Sequence, residues 1–157
     1  MRSRTSRIPK AAETDVTVVF DGTVLVLRVE GKPVSKPNTM KISRRRLYSS
    51  DATIAYENLL SLRIKEALVE YELPLFGKQP IDFKITTYFN YKNVLDVTEK
   101  NNGDADNWLK AAQDSMNQIV YEDDKRAIDS HASKRNDPQS KTIYHIIEVR
   151  ASTALAA

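Results

Sequence analysis

The 157-residue sequence predicts a single domain that combines strands with helices. Three observations lead there. Two β-branched runs flank Asp21-Gly22 in VTVVFDGTVLVLRVEG; Ile81, Phe83, Ile85, Thr87 and Phe89 alternate along IDFKITTYFNY; and two stretches, after Asp51 and after Asp106, repeat apolar residues at helical spacing. The length suits one core and is too short for two comfortable ones.

Taken in order, MRSRTSRIPKAAETD is basic and lacks the apolar stretch of a secretory signal, so residues 1–14 read as a flexible basic arm. Strands are expected near 16–20 and 23–29, joined by a two-residue turn at Asp21-Gly22. GKPVSKPNTMKISRRRLYSS carries two prolines, many basic residues and few apolar ones, and predicts a loop rather than an element. From Ser50 or Asp51 a helix places Leu60, Ile64, Ala67, Leu68 and Tyr71 on one stripe, with Pro74 following its end. IDFKITTYFNY is a half-buried strand, because successive side chains of a strand point to opposite faces. A second helix from Asp106 gathers Leu109, Ala112, Met116 and Ile119 on one side and Asp106, Lys110, Gln113 and Asn117 on the other. YEDDKRAIDSHA predicts a short connection entering a strand, SKRNDPQSK a turn around Asp137-Pro138, TIYHIIEVRA a last strand, and residues 151–157 a frayed tail.

Charge is unevenly spread. Residues 1–50 hold 11 Lys/Arg against 4 Asp/Glu, residues 51–103 hold 6 against 8, and residues 104–157 hold 7 against 9, for a net +3. A basic front with an acidic back suits a region that attracts a polyanion beside one that holds cations; an uneven solvated surface is the plain alternative. With no cysteine there are no disulfides and no thiolate metal sites, which fits a reducing compartment. No apolar run reaches a membrane span of roughly 20 residues. Only four glycines, with no G-x-G-x-x-G and no P-loop, argue against a nucleotide cofactor, and no G-x-S-x-G marks a nucleophile. His131 and His145 sit in expected strands without metal-ligand spacing.

The acids with chemical promise are Asp104 and Asp106, before or at the second helix, and the Asp123-Asp124 pair after it. An aspartate at a helix start ordinarily caps exposed amides and suits the dipole, and Lys110 stands at ordinary surface-pair spacing from Asp106 and Asp114. The combination says more. Mg²⁺ takes hard oxygens from a few carboxylates and from substrate phosphates while keeping several waters. Aspartates from two points of the chain, joined by one helix, supply such ligands, and a lysine on that helix face aims an ammonium at the same place, where it can stabilise charge on phosphate oxygens or hold an attacking water. An EF-hand loop from Asp104 fails, because its fifth and sixth positions are Trp108 and Leu109. YEDD is shared with polymerases, but this chain is too short for one.

DADNWLKAAQDSMNQIVYEDD, Asp104 to Asp124, resembles the signature of the RusA-type crossover-junction endodeoxyribonucleases: D-x-D-N, a lysine three residues after the asparagine, an aspartate four further on, then a D-D pair. The front half is similar too, with a strand into GKPVSKP, a basic loop, a tyrosine-containing helix and a strand leading to the acidic motif. The resemblance covers roughly residues 24–150. It implies a small α+β domain over residues 15–150, with a mixed β-sheet and two principal helices, that forms a homodimer, binds four-way DNA and hydrolyses phosphodiesters with Mg²⁺, or Mn²⁺ as a substitute. It implies Asp104, Asp106 and Asp124 as metal ligands and Lys110 as the catalytic cation, with Asp123 orienting a ligand or a metal-bound water. Asn107 and Asp114 match the motif without an assigned role.

The implied function is resolution of Holliday junctions in DNA recombination and repair, in the cytoplasm of a bacterium or encoded by a phage. A catalytically inactive branched-DNA-binding protein and a metal nuclease preferring flaps or forks are the alternatives. DNA phosphates must approach a carboxylate cluster that repels them, so cations have to offset the repulsion. The candidates are Lys32, Lys36, Lys41, Arg44, Arg45, Arg46, Lys134 and Arg135. EKNNG, ahead of the motif, departs from the more basic lead-in of relatives, and the N-terminal arm and the strand at 16–20 look like additions.

Overall fold

A computed structural model describes residues 15–35, 41–43, 46–48, 51–93 and 105–154; side chains at 41–43, 46–48 and 106 are left aside. The basic arm at 1–14, together with Lys36, Arg44, Arg45 and Asp104, therefore lies outside the described residues.

Strands β1 (Val16–Phe20) and β2 (Val24–Glu30) form the expected hairpin. Its register centres the turn on Gly22-Thr23, one residue later than the Asp-Gly pair suggested: Asp21 faces Val24, and the Asp21 Oδ1 accepts from the Thr23 and Val24 amides at 2.8 Å each. Gly22 takes φ +91°, which a side chain would resist, and this is why glycine stands there. The stretch expected to be all loop contains a two-stranded ribbon, β3 (Lys41–Ser43) with β4 (Arg46–Tyr48). Strands of three residues are too short to show a period of two.

Helix α1 (Asp51–Ala67) buries Thr53, Tyr56, Leu60 and Ile64, and Leu68 continues the stripe just beyond its end. Ala67 and Tyr71, expected on that stripe, are exposed instead, although the Tyr71 ring meets Phe20 edge-on at 5.1 Å. Strand β5 (Ile81–Phe89) buries all five alternating residues, and Thr86 of its other face as well, because it is interior to the sheet with β7 on one side and β6 on the other.

Helix α2 (Ala105–Ser115) follows, and then β6 (Ala127–Asn136) and β7 (Tyr144–Ala151) complete the sheet. The order is β1-β2-β7-β5-β6, antiparallel throughout except for the β5–β6 pair, which is parallel. A parallel pair needs a crossover, and α2 provides it. The protein is thus a single α+β domain with a mixed five-stranded sheet and two principal helices, as expected. Ser133 to Asn136, expected in a turn, extend β6, and the turn begins at Asp137.

Both helices cover one face of the sheet. Leu25, Leu27 and Val29 of β2, Ile81, Phe83, Ile85 and Phe89 of β5, and Ile147 and Val149 of β7 form the core with Leu60 and Ile64 of α1 and Trp108, Ala111 and Ala112 of α2. Arg28, Lys84 and Arg150 point to the other face and are exposed. His145 is fully buried: its Nδ1 donates to the Gly31 carbonyl and its Nε2 accepts from the Tyr56 hydroxyl, each at 2.8 Å. Burial pushes its pKa down to about 4, so the ring stays neutral and fastens α1 to β7 and to the chain leaving β2. Its role is structural.

Candidate active site

The polar face of α2 follows from its backbone. Asp106, Lys110 and Asp114 recur every four residues and so lie along one side of the helix. The opposite side is fixed by Trp108, Ala111, Ala112 and Ser115, all buried; Ala112 is the expected one among them, and Leu109, also expected on that stripe, is only half-buried. Trp108 in the first turn lies under the Lys134 ammonium of β6, 5.5 Å from its ring centre, and Gln113 in the last turn donates from Nε2 to the Ser130 Oγ of β6 at 2.9 Å. The helix therefore runs back beside β6, with its N-terminus toward the end of that strand and its C-terminus toward the start.

Beyond Ser115 the chain reverses. Gln118 adopts φ +68°, its amide bonds the Tyr121 carbonyl at 2.8 Å, and the buried Tyr121 hydroxyl donates to the Gln113 carbonyl at 2.6 Å. Met116 and Ile119 are buried as expected, but in this turn rather than in the helix. The Glu122 amide bonds the Gly77 carbonyl at 2.9 Å, which pins the turn from outside. Asp123 then caps the short 3₁₀ turn Asp124–Arg126, accepting from the Lys125 amide at 3.0 Å, and that hydrogen bond chiefly holds its carboxyl below the usual range.

This path delivers Asp124 to the last turn of α2. Partial burial, then the neighbouring Asp114 and Asp123 carboxyls, push its pKa up to about 6. The same three aspartates also act on the Tyr121 phenol, which is held well above its ordinary value mainly by its own burial. The chain thus brings together Asp114, Asp123 and Asp124, with Lys110 half-buried one helical turn from Asp114. It puts the Asp106 Cα two turns from that of Asp114, about 12 Å at 1.5 Å per residue. The sequence set Asp114 in the motif, at pair spacing from Lys110, without a role; its nearness to Asp124 is what the spacing alone did not show.

Neighbouring carboxyls on Asp114, one helical turn from Lys110 in sequence, and on Asp124 offer the hard oxygens that a divalent cation takes while keeping part of its water shell. Among the described residues no group of three His, Asp or Glu is arranged to hold a metal ion. Asp104 and the Asp106 side chain, expected to contribute, are outside that set.

The basic candidates can be placed in part. Because β2, β5 and β6 run the same way, Lys32 just after β2, and Lys134 and Arg135 near the end of β6, share one end of the sheet. The α2 N-terminus lies at that end too, as the Lys134–Trp108 contact shows. Lys41 and Arg46 belong to the β3–β4 ribbon.

A single α+β domain, with a mixed sheet whose one parallel pair is bridged by a helix carrying an Asp-Lys-Asp face against an acidic turn, defines the class of protein. The chain belongs to the Endodeoxyribonuclease RusA family, whose profile matches residues 30–147. Membership implies Holliday junction resolvase nuclease activity on branched DNA, in a family that is generally dependent on divalent metal. No curated protein matches the chain. Among solved structures, "The crystal structure of the periplasmic domain of Helicobacter pylori MotB (residues 90-256)" is similar over 91% of this chain and 84% of that one, at 8% identity and a TM-score of 0.37, too low to bear on the site. No described helix is long and apolar enough to cross a membrane.

Proposed function

We propose that residues 15–150 form a Mg²⁺-dependent, structure-selective endonuclease that resolves four-way DNA junctions as a homodimer, with Mn²⁺ as a substitute, in the cytoplasm and encoded by a bacterium or a phage. The observation that carries this reading is the delivery of Asp124 against the α2 face that bears Lys110, within a chain whose profile match spans the whole acidic motif. In this reading Asp104, Asp106 and Asp124 hold the cation and Asp123 orients Asp124. The bound cation supplies charge for the phosphoryl oxygens and a water of lowered pKa. Lys110 places its ammonium beside the scissile phosphate and stabilises the negative charge that grows there. Lys32, Lys36, Lys41, Arg44, Arg45, Arg46, Lys134 and Arg135 grip the backbone, so recognition depends on the shape of the branch rather than on base edges.

The test is incubation of the protein with a synthetic four-way junction, a replication fork, a flap and a linear duplex, first with Mg²⁺ and then with EDTA. Paired nicks across the junction, lost in EDTA, are the expected result. Faster cleavage of the fork or flap would move the substrate assignment to those branches, and binding without cleavage in Mg²⁺ or Mn²⁺ would refute the nuclease reading.

A further inference from the structure

We propose that two copies of this chain pair through the outward face of α1, antiparallel and about a two-fold axis that crosses the helices at Asn58. The inference rests on the homodimer of the reading above and names a surface that forms it.

The face follows from the helix. α1 buries Thr53, Tyr56, Leu60 and Ile64 against the rest of the domain. At about 100° per residue its opposite side carries Asp51, Ile54, Asn58, Leu62 and Lys65, and all five are exposed, Ile54 at 44% and Leu62 at 52%. A single apolar side chain in water is ordinary, but a helix with a second apolar stripe has a second surface to cover. Exposure is also concentrated here: of the eight large hydrophobics exposed among the described residues, five (Ile54, Leu62, Val69, Tyr71 and Leu73) belong to α1 and the segment that follows it.

The order of the residues says what covers them. Asp51 and Lys65 stand seven residues to either side of Asn58, and Ile54 and Leu62 four to either side. When two such helices lie antiparallel with Asn58 at the axis, residues equidistant from it meet at one height. Asp51 of one copy then faces Lys65 of the other, Ile54 faces Leu62, and Asn58 faces itself. Opposite charges meet at both ends, apolar side chains meet between them, and the central amide, which both donates and accepts, bonds its own copy in both directions. A parallel pair would instead set Asp51 beside Asp51 and Lys65 beside Lys65, which like charges oppose. One polar residue in an apolar seam also fixes register, because a slip leaves it unpaired. A face that is its own complement is what an isologous contact requires, so its occupant is a second copy. Two acidic sites related by such an axis can nick two strands of a junction as a pair.

The chain has no cysteine, so a single thiol tests the axis. Full-length Asn58→Cys, treated with copper phenanthroline, is expected to run as a disulfide-linked dimer on a non-reducing gel, because only a residue on the axis meets its own copy. Ala52→Cys, exposed on α1 but off the stripe, is expected to cross-link little. Sedimentation velocity supplies the second arm. Asp51→Lys replaces two opposite pairs with two like ones and is expected to raise the dimer Kd about 10-fold, as is Lys65→Asp, while the two together return it to within about threefold of wild type. Should a charge variant fold poorly by its far-UV melting curve, the cross-link decides. A wild type that stays monomeric, Asn58→Cys no more cross-linked than Ala52→Cys, or a double variant as weak as the single ones overturns the α1 contact. None of these readouts uses cleavage, so a failed α1 contact in a protein that still nicks junctions leaves the nuclease reading standing, and the two failures are distinguishable.

Discussion

At the residue scale the acids and the lysine of α2 divide the work. If Asp106 is a ligand, Asp106→Asn removes its charge while keeping its shape, so the variant folds and binds a four-way junction yet loses cleavage. Unchanged cleavage by the pure variant sinks the assignment. Lys110→Ala removes a positive charge from the half-buried helix face. Its turnover is expected to fall about 10²- to 10³-fold, the usual cost of one preorganised charge-stabilising group, with the melting temperature close to wild type; a large drop in that temperature would make Lys110 structural. His145 gives a prediction of another kind. Its folded pKa of about 4 lies below the ordinary 6.5, so between those values the unfolded chain takes up a proton that the native ring refuses. The stability it contributes is complete above pH 6.5 and is lost as the pH falls toward 4. At pH 5 the loss is on the order of 2 kcal/mol relative to pH 7.5. Urea midpoints at the two pH values should show that loss in the wild type and a smaller one in His145→Gln; equal losses would mean that the ring does not carry the pH dependence.

At the element scale the parts visible in sequence were those whose physics is local. β5 could be read because its five alternating residues are all buried, and the first hairpin because Asp21 and Gly22 each do a turn's chemistry. The end of α2 could not. The helix stops at Ser115 and the chain turns at Gln118, where a non-glycine residue takes a positive φ and is held by Tyr121, so no glycine or proline announces the stop. Asp104, Asp106, Lys110, Asp123 and Asp124 were legible as a motif, but the nearness of Asp114 to Asp124 depends on that reversal and on the pin at Gly77, contacts distant in sequence. The anchoring of α2 yields its own prediction. Trp108 is 1% exposed and fills the space between α2 and the sheet beneath Lys134. Trp108→Ala should cost about 3–5 kcal/mol of unfolding free energy, the typical penalty for emptying such a site, measured by urea denaturation. A cost under about 1 kcal/mol would be that of a surface position and would mean that the first turn of α2 is held by something else.

At the scale of the whole molecule the two ends of the sheet are unlike. Lys32, Lys134, Arg135 and the start of α2 share one end, while Asp124, the last turn of α2 and Arg150 near the close of β7 belong to the other. Along about 15 Å of helix the chain therefore passes from the end that bears Lys32, Lys134 and Arg135, where Asp106 also stands, to the end that bears Asp114 and Asp124, with Lys110 between. A phosphate backbone drawn in at the basic end meets the carboxylates with part of their repulsion already offset, which is how a cluster of aspartates can work beside a polyanion. The consequence can be measured in the absence of cleavage. Each Lys or Arg that neutralises a phosphate contributes about 0.9 to the slope of log affinity against log salt. Lys134→Ala with Arg135→Ala should therefore weaken junction binding in EDTA and flatten that slope by about 1 to 2, whereas Arg150→Ala, which removes one charge from the opposite end, should change it little. An equal flattening from Arg150→Ala would mean that the DNA does not prefer one end of the sheet, and that the charge arrangement steers nothing.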